Sequence, residues 1–387
     1  MGSALVIFHI FALTVLAMLT VHTLLNARAI RRLWPRAAGA RRPSVSVLVP
    51  ARNEATRIGA CVEAWRTQDY LDYELVVLDD ESTDDTRRRA ELAANGARHV
   101  RVVAGGRLPD GWRGKTHACH RLREQARGET LVFADADVIP HPSTLAATVA
   151  ALEALGGEAL SALPSHRPLS PLLRTAASLQ NWAAFTFVPA WVSSARRRPS
   201  LATLNGQFIA MSAAVYDAAG GFAAVRASLA EDTAFGRRLV GLGHRVDLMD
   251  GAQLLTCRAY TRLADLWRAN VRNLSSVLFG SPWLLLLTAA VLSALYVGPL
   301  VVLGLGVLLG HGGTLGWTWL PLAETAMAMS TRAFVEHRSR HGAWLGTLHP
   351  VSAALLVVMQ CDAWIRARRG AHVEWRGRTY RITDEAA

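Results

Sequence analysis

Lysine is almost missing from this chain. Of its 42 basic residues one is a lysine, Lys115, and the others are arginine. An ammonium is a compact point charge that a planar guanidinium does not replace, so the exception marks a position. Acidic residues are also short, 30 against 42, and the net charge is +12. That surplus raises nucleic acid as a partner. The arginines crowd beside apolar runs, however, where a nucleic-acid protein would carry a stripe on its folded domain. The pattern points to an anionic membrane surface and to no nucleic acid. The four cysteines, Cys61, Cys119, Cys257 and Cys361, lie far apart with no Cys-x-x-Cys. This excludes a disulfide framework and a zinc ribbon and leaves reduced thiols. No internal repeat and no low-complexity linker is present, which excludes a solenoid.

Half of the residues are hydrophobic, 51%, and much of that content sits in long runs. Residues 4–25 are long and apolar enough to span a bilayer. No charge precedes them, as a signal peptide would require, and Arg28, Arg31, Arg32, Arg36, Arg41 and Arg42 follow with no acid among them. The expectation is an uncleaved anchor over 1–27, with its N-terminus outside and the next domain cytoplasmic. A second span is expected over 282–310. Residues 317–330 are apolar but short and carry Glu324, so a re-entrant or interfacial segment is expected there. The last span is placed at 343–365. Arg366, Arg368, Arg369, Arg376, Arg378 and Arg381 follow it, and an inside tail over 366–387 needs an even number of crossings after the cytoplasmic domain. Three spans are therefore favoured, with four as the alternative. Residues 261–281 read as an interfacial connector to a C-terminal membrane region, 282–365. Residues 168–195, with Trp182, Phe185, Phe187 and Trp191 before Arg196, Arg197 and Arg198, fit a core helix or an interfacial one.

From 44 to about 246 the pattern changes. Apolar stretches at 45–50, 74–78, 99–103 and 131–134 alternate with helical patterns at 53–67, 86–95 and 115–125. That alternation predicts an α/β domain over 44–260, with a mostly parallel sheet and helices on both faces. Its most informative stretch is Leu131-Val132-Phe133-Ala134-Asp135-Ala136-Asp137. A buried strand runs into two carboxylates, at the end of the strand where open α/β sheets bind ligands. Carboxylates this close call for a cation between them, and Mg²⁺ or Mn²⁺ would bring a diphosphate with it. A polar strand end or a helix cap is the plainer alternative for the same residues.

Four motifs occur in order: Val45-Ser46-Val47-Leu48-Val49-Pro50-Ala51-Arg52-Asn53-Glu54, then Leu75-Val76-Val77-Leu78-Asp79-Asp80-Glu81-Ser82-Thr83-Asp84, then Phe133-Ala134-Asp135-Ala136-Asp137, then Ala230-Glu231-Asp232 with Gly241-Leu242-Gly243-His244-Arg245-Val246. Together they resemble the opening strand and loop, second strand, metal motif and acceptor-side motif of family 2 glycosyltransferases. Gly111-Trp112-Arg113-Gly114-Lys115, Asn205-Gly206-Gln207-Phe208, Gly220-Gly221-Phe222 and Glu374-Trp375-Arg376-Gly377-Arg378-Thr379-Tyr380 narrow this to something similar to membrane-bound lipid glycosyltransferases of the carotenoid (4,4'-diaponeurosporenoate-type) and hopanoid-associated groups. Two departures stand out. Phe222 occupies a position where histidine is expected. Gln-x-x-Arg-Trp, which marks processive polysaccharide synthases, is missing, with Trp267-Arg268 and Arg272-Asn273 as partial substitutes. A single sugar transfer is expected.

The resemblance implies a GT-A fold, the nucleotide-diphospho-sugar transferase type, with transmembrane helices at both ends of the chain. It implies inverting, metal-dependent transfer of a sugar, glucose by expectation, from a UDP-sugar to a carotenoid or other isoprenoid lipid at the cell membrane. Donor binding falls to Pro50, Ala51, Arg52, Glu54, Asp80, Lys115 and Asp135. Asp80 would accept the imide N–H of uracil or, alternatively, cap a helix. Asp137, with Asp135, would hold Mg²⁺ or Mn²⁺. Lys115 would meet phosphate oxygens or sit solvated on a helix. Asp232 would be the general base or else the cap of a helix over 233–240. Glu231, Asn205, Gly206, Gln207, Arg268 and Arg272 fall on the acceptor side. Transfer to polyprenyl phosphate and a non-catalytic scaffold are the competing readings, and the intact Asp80, Asp135, Asp137 and Asp232 argue against the scaffold.

Overall fold

The computed structural model describes residues 2–35, 42–156, 158–167, 170–196, 198–228, 230–258, 262–277, 281–369, 373–375 and 377–380. Arg36, Arg41, Arg197, Arg376 and Arg381, and the domain boundary at 260–261, lie outside the described residues.

The expected α/β domain is present. Its strands are β1 (Val45–Ala51), β2 (Tyr73–Asp79), β3 (Val100–Ala104), β4 (Thr130–Ala134), β5 (Val138–Pro140), β6 (Ala159–Leu163), β7 (Ser165–His166), β8 (Phe208–Ser212), β9 (Val246–Asp250) and β10 (Leu255–Cys257). The main sheet runs β3-β2-β1-β4-β8-β6-β9. Only β8 opposes its neighbours; the other pairs are parallel. The alternating side chains of β1 show why helices cover both faces. Val45, Val47 and Val49 belong to one buried cluster, and Leu48 belongs to the other. A strand apolar on both faces is stable only between two layers. On the first face Trp65, from the helix Ile58–Arg66, stacks on Phe208 of β8 with centroids 6.3 Å apart. That helix starts later than the pattern at 53–67 suggested. Asn53 lies at φ +52°, in the left-handed region, so residues after β1 form a loop before the helix begins.

The start of β4 is fixed by a close approach. Arg127 and Gly128 N–H both donate to Ser46 Oγ, at 3.1 and 2.8 Å, and Ser46 Oγ donates to Glu74 Oε1 at 2.7 Å. A Cβ on Gly128 would lie 2.5 Å from Ser46 N and 2.7 Å from the Val45 carbonyl carbon. Only glycine lets the backbones meet there, and the meeting sets β4 beside β1 so that Asp135 emerges at the sheet edge.

Beyond the sheet, Gly2–Ala29 and Pro282–Leu308 are helical runs long and apolar enough to cross a membrane. The second run passes through a π-turn, Ser293–Val297, just before Pro299, whose missing N–H loosens the helix at that point. Residues 315–338 form a third long run, a π-turn Leu315–Trp319 continuing into the helix Leu320–Arg338. At 1.5 Å per residue it is about 36 Å long. It lies parallel to the first helix along its whole length. A Cβ on Gly316 would sit 3.2 Å from Val6, His9 Nδ1 meets Glu324 Oε1 at 2.8 Å, Thr20 and Thr331 hydroxyls meet at 2.8 Å, and Arg338 donates to the Ile30 carbonyl at 2.6 Å.

The segment placed as the last span behaves differently. His341 Nε2 accepts from His166 N–H of β7 at 2.8 Å, beside the α/β domain. A Cβ on Gly346 would press on Met329 O, two to three turns before Arg338, and His349 packs on Trp182 and Tyr296. The helix His349–Arg368 then runs back. Gln360 donates to Thr288 Oγ1 at 3.0 Å, and Trp267 Nε1 donates to Asp362 Oδ2 at 2.7 Å on the connecting helix Leu263–Val277. Residues 339–368 thus dip partway and return to the side they left. Residues 317–330, expected as a re-entrant or interfacial segment, thus belong to one long helical run, and 343–365, expected as a span, to a segment that turns back. The polar groups that made the former look too polar to cross are buried with partners. Glu324 has His9, and Arg332 lies 2.6 Å from Glu336, which His341 also meets at 2.7 Å. Trp182 and Phe185 are core residues against these helices, while Phe187 and Trp191 are exposed. A two-stranded hairpin, β11 (Val373–Trp375) and β12 (Arg378–Tyr380), follows.

Gly128→Ala should destabilise the α/β domain by about 1–3 kcal/mol, because the added methyl meets backbone that cannot move aside. Denaturant unfolding of the two proteins measures this, and equal midpoints would refute the close-approach account.

Candidate functional site

The loop after β1 and the loop after β2 are tied into one wall. Asp80 N–H donates to the Ala51 carbonyl at 2.8 Å, and Arg52 donates to the carbonyls of Asp80 and, at 3.0 Å, Glu81. Asn53 Oδ1 accepts from Thr83 N–H at 2.9 Å, and Asn53 N–H donates to Ser82 Oγ at 3.0 Å. Glu54 N–H donates to Thr86 Oγ1 at 2.7 Å. Two residues here, Asn53 and Glu81, are held at φ +52° and +55°. Left-handed backbone on residues with a Cβ persists where surrounding bonds over-determine it, and the network supplies those bonds. Pro50, Ala51 and Arg52 thus face the loop of Asp80, as expected. Glu54 is also expected in donor binding. Its carboxylate is buried and pairs with Arg57 at 2.8 Å, on its own side of the loop.

A second group gathers where β4 ends. Lys115, in the first turn of the helix Gly114–Gln125, reaches three acceptors: Asp135 Oδ1 at 2.8 Å, Glu231 Oε1 at 3.2 Å and the Gly206 carbonyl at 3.2 Å. Asp135 N–H donates to the Gln207 carbonyl at 3.1 Å, which fixes β4's exit against the 205–207 turn. That turn is held in place by Asn205 Oδ1, which accepts from Gln207 N–H at 3.1 Å, and by Ser161 Oγ, which accepts from Asn205 N–H at 3.1 Å. Gly206 N–H donates to Asp232 Oδ2 at 2.8 Å. A Cβ on Gly206 would sit 3.0 Å from that oxygen and 3.2 Å from Lys115 Nζ, so glycine is what lets donor-side and acceptor-side groups close on one another. Pro50, Lys115, Asp135, Gly206, Phe222, Glu231 and Asp232 line one pocket.

The charges balance around the lysine. Burial opposes a charge on Lys115, but Asp135 and Glu231 outweigh it and hold its pKa well above the usual lysine value. Burial pushes the Glu231 carboxyl up; Lys115 works against this and the neighbouring Asp232 adds to it.

Asp232 is not the helix cap that the sequence left open. The helix runs Glu231–Gly241, its N-cap is Ala230, and Asp232 lies inside the first turn. Its Oδ1 accepts from Thr233 N–H at 2.6 Å while Oδ2 takes Gly206 N–H. The helix begins two residues earlier than the sequence pattern suggested, so the carboxylate links the helix to the 205–207 turn.

Asp137 is half-buried next to the pocket, and its carbonyl accepts from Arg258 N–H at 3.0 Å. Among the described residues no three His, Cys, Asp or Glu side chains converge as a metal cluster. Two carboxylates, Asp135 and Asp137, are what a magnesium-type site needs when substrate phosphates supply the other oxygens. Arg268 and Arg272, expected on the acceptor side, do not line this pocket. Both lie on the connecting helix, where Arg268 pairs with Asp265 at 2.7 Å. Phe222 fills its position as a buried ring, edge-on to Phe133 at 5.3 Å. The sequence reading gave no role to Arg378, which clasps the Asp80 carboxylate, with Nη2 at 3.2 Å from Oδ1. The signal was the tail stretch Glu374 to Tyr380, some 300 residues from its partner.

The family model described as glycosyltransferase like family 2 matches residues 43–277, more than half of the chain. The chain belongs to this family. It is a glycosyltransferase with a GT-A-like sheet. Among similar curated proteins, the 4,4'-diaponeurosporenoate glycosyltransferase of Staphylococcus haemolyticus is 31% identical over 127 residues, 33% of either chain. That of Staphylococcus aureus is 38% identical over 97 residues, 24% of either chain. The matches thus span a third or less of these relatives' length. Among solved structures, a mannosyltransferase from Pyrobaculum calidifontis in complex with GDP-Man and Mn²⁺ shares the fold. It has a TM-score of 0.55 at 18% identity, covering 94% of this chain and 98% of that one.

Lys115→Ala leaves carboxylates facing each other without their cation. Because the lysine is partly exposed, the loss should be modest, about 1–2 kcal/mol, and Lys115→Arg should recover part of it. Thermal unfolding checks this; three equal melting temperatures would take Lys115 out of the charge balance.

Proposed function

We propose that this glycosyltransferase is an inverting, metal-dependent enzyme that moves a sugar, glucose by expectation, from a UDP-sugar to a hydroxyl or carboxyl of a membrane lipid such as a carotenoid or other isoprenoid. The observation that carries the reading is the convergence of Asp135, Lys115, Glu231 and Asp232 in one pocket beside the Asp80 loop. The relatives' names support the lipid acceptor, and the helices that flank the domain support a membrane setting.

In this reading Asp80 accepts the imide N–H of the base, with Pro50 to Arg52 as the opposite wall. Asp137 and Asp135 would hold Mg²⁺ or Mn²⁺, which supplies charge neutralisation to the diphosphate when bound. Lys115 turns from Asp135 and Glu231 to phosphate oxygens, a short move for a three-donor ammonium. Asp232, aimed by Gly206 and Thr233 N–H groups, takes the acceptor's proton. The acceptor oxygen bonds to the anomeric carbon as the bond to the diphosphate breaks on the opposite face, and UDP departs with that electron pair. Glu231 orients the acceptor.

The helices Gly2–Ala29, Pro282–Leu308 and 315–338 are proposed to cross the membrane, and 339–368 to enter and leave from the cytoplasmic side. Glu324, Arg332 and Glu336 then lie inside the bundle in pairs, where ionisable groups of a spanning helix belong. Two crossings after the domain keep the arginine-rich tail beside it.

Asp232→Asn should still bind UDP yet lose roughly 10²–10⁴-fold in turnover, since an amide takes no proton near neutral pH. It should also unfold slightly earlier, by about 1 kcal/mol, because its NH₂ faces a backbone N–H that the carboxylate accepted. Turnover with a lipid extract and UDP-glucose, with UDP affinity measured alongside, tests this; a Asp232→Asn enzyme of near wild-type turnover would sink the base assignment.

In intact cells with the native cysteines removed, Gly312→Cys should react with a membrane-impermeant thiol reagent and Thr379→Cys should not. Labelling at both positions would overturn the topology.

A further inference from the structure

The hairpin of β11 and β12 comes after the last membrane segment, yet it returns to the opening motifs of the chain. Arg378 at the start of β12 places its guanidinium across the Asp80 carboxylate, one nitrogen to each oxygen, and also meets Glu81 Oε2 at 3.0 Å. The Asp80 side chain is 2% exposed and that of Arg378 12%. Gly377, at φ +82° between the strands, lies against Asn53, with its Cβ position 3.9 Å from Asn53 Nδ2. Two arginines therefore close on one dipeptide. Arg52 holds the carbonyls of Asp80 and Glu81, and Arg378 holds their carboxylates.

We infer that the C-terminal hairpin is the outer wall of the nucleoside-binding site, and that Arg378 is a positioning residue that keeps Asp80 aimed as the acceptor for the base. This rests on the proposed reading of Asp80 as the base's partner. A carboxylate offers about four lone-pair sites, and a guanidinium fork uses two, one on each oxygen. Lone pairs remain for an N–H of the base. The opposite arrangement, a latch that leaves at every turnover, is disfavoured by burial. Removing one member of a buried ion pair strands the other charge, and an incoming nucleotide would have to offset that loss each time. A fork that stays also accounts for the second contact to Glu81, whose left-handed backbone it helps to hold.

The test uses the full-length protein in detergent and measures UDP, ADP and Mg²⁺-pyrophosphate binding by calorimetry. The wild type is compared with Asp80→Asn, Arg378→Ala, Arg378→Lys and the double variant Asp80→Asn with Arg378→Ala. Arg378→Ala should weaken UDP binding on the order of tenfold and erase most of the preference for UDP over ADP, while pyrophosphate binding stays within about twofold. Arg378→Lys should restore only part, because an ammonium cannot take both oxygens in a planar fork. The double variant should bind UDP no more weakly than Asp80→Asn, since Arg378 acts through Asp80. Pyrophosphate binding that survives shows that the variants are folded. Unchanged UDP affinity in Arg378→Ala overturns the inference, and tighter UDP binding would identify a competing latch instead. If Asp80→Asn weakens UDP and Arg378→Ala does not, the donor-site reading stands and this inference fails. Wild-type protein that binds pyrophosphate with no preference for UDP overturns the reading of Asp80 and the inference with it.

Discussion

The pocket depends on one ammonium held between carboxylates from two separate parts of the chain. Asp135 leaves β4 and Glu231 opens a helix almost a hundred residues later, and Lys115 is within 3.2 Å of both. Without a cation there, burial and mutual repulsion would drive these acids apart or force one to take a proton. The closeness of the 205–207 turn, the choice of glycine at 206 and the aim of Asp232 all follow from that balance. It also explains why a chain otherwise built on arginine has lysine at this position. A guanidinium fork prefers one planar partner, whereas a compact ammonium satisfies three acceptors pointing from different directions.

The same rule operates in the helix bundle with a different pair. Glu324, Arg332 and Glu336 lie on one helix and are fully buried, and each has a partner within 2.8 Å. Ionisable groups away from water need such partners, and besides the Arg332–Glu336 pair on the helix itself they come from other segments: His9 from the first helix, Ser178 from within the α/β domain and His341 from the stretch after the helix. The buried pairs thus fix which helices are neighbours. Apolar contact alone does not do this, because it is non-directional.

How much of this the sequence disclosed depended on the reach of each signal. The β1, β2 and β4 strands were legible because an apolar run ending in polar residues is a local pattern. Asp135 stood out by its motif and Lys115 by composition, but their pairing did not, since Lys115 was expected on phosphate oxygens or solvated on a helix. Three things were not legible. The antiparallel β8 lies in a stretch where no alternation separates strand from helix. The start of the helix at Glu231 rests on backbone geometry at Ala230, so Asp232 looked like a cap. The full length of the helical run 315–338 was hidden from hydropathy, because Glu324 interrupts the apolar stretch at 317–330. Glu324 Oε1 instead meets His9 Nδ1 at 2.8 Å, and nothing near position 324 in the sequence names position 9. Arg268 and Arg272 lie on the connecting helix and do not line the pocket, a placement that basic residues beside a motif do not disclose.

The pairing of Arg378 with Asp80 joins residues 298 apart, across the helical runs 282–308 and 315–338. The loops that receive it are held by their own local bonds among Arg52, Asn53, Ser82 and Thr83, so the first wall of the site can form when the α/β domain folds. The second wall cannot. It arrives only after the runs 282–308 and 315–338 are laid side by side and 339–368 has turned back to the domain's side. Contacts of such long sequence separation are costly in loop closure and form late. The site is therefore completed by the same step that completes the bundle, and a chain whose later helices are misplaced carries Asp80 as a buried carboxylate without its arginine. On this architecture correct packing of the helices is a condition for completing the site, because the last strand cannot reach the first loops from the other side of the bundle.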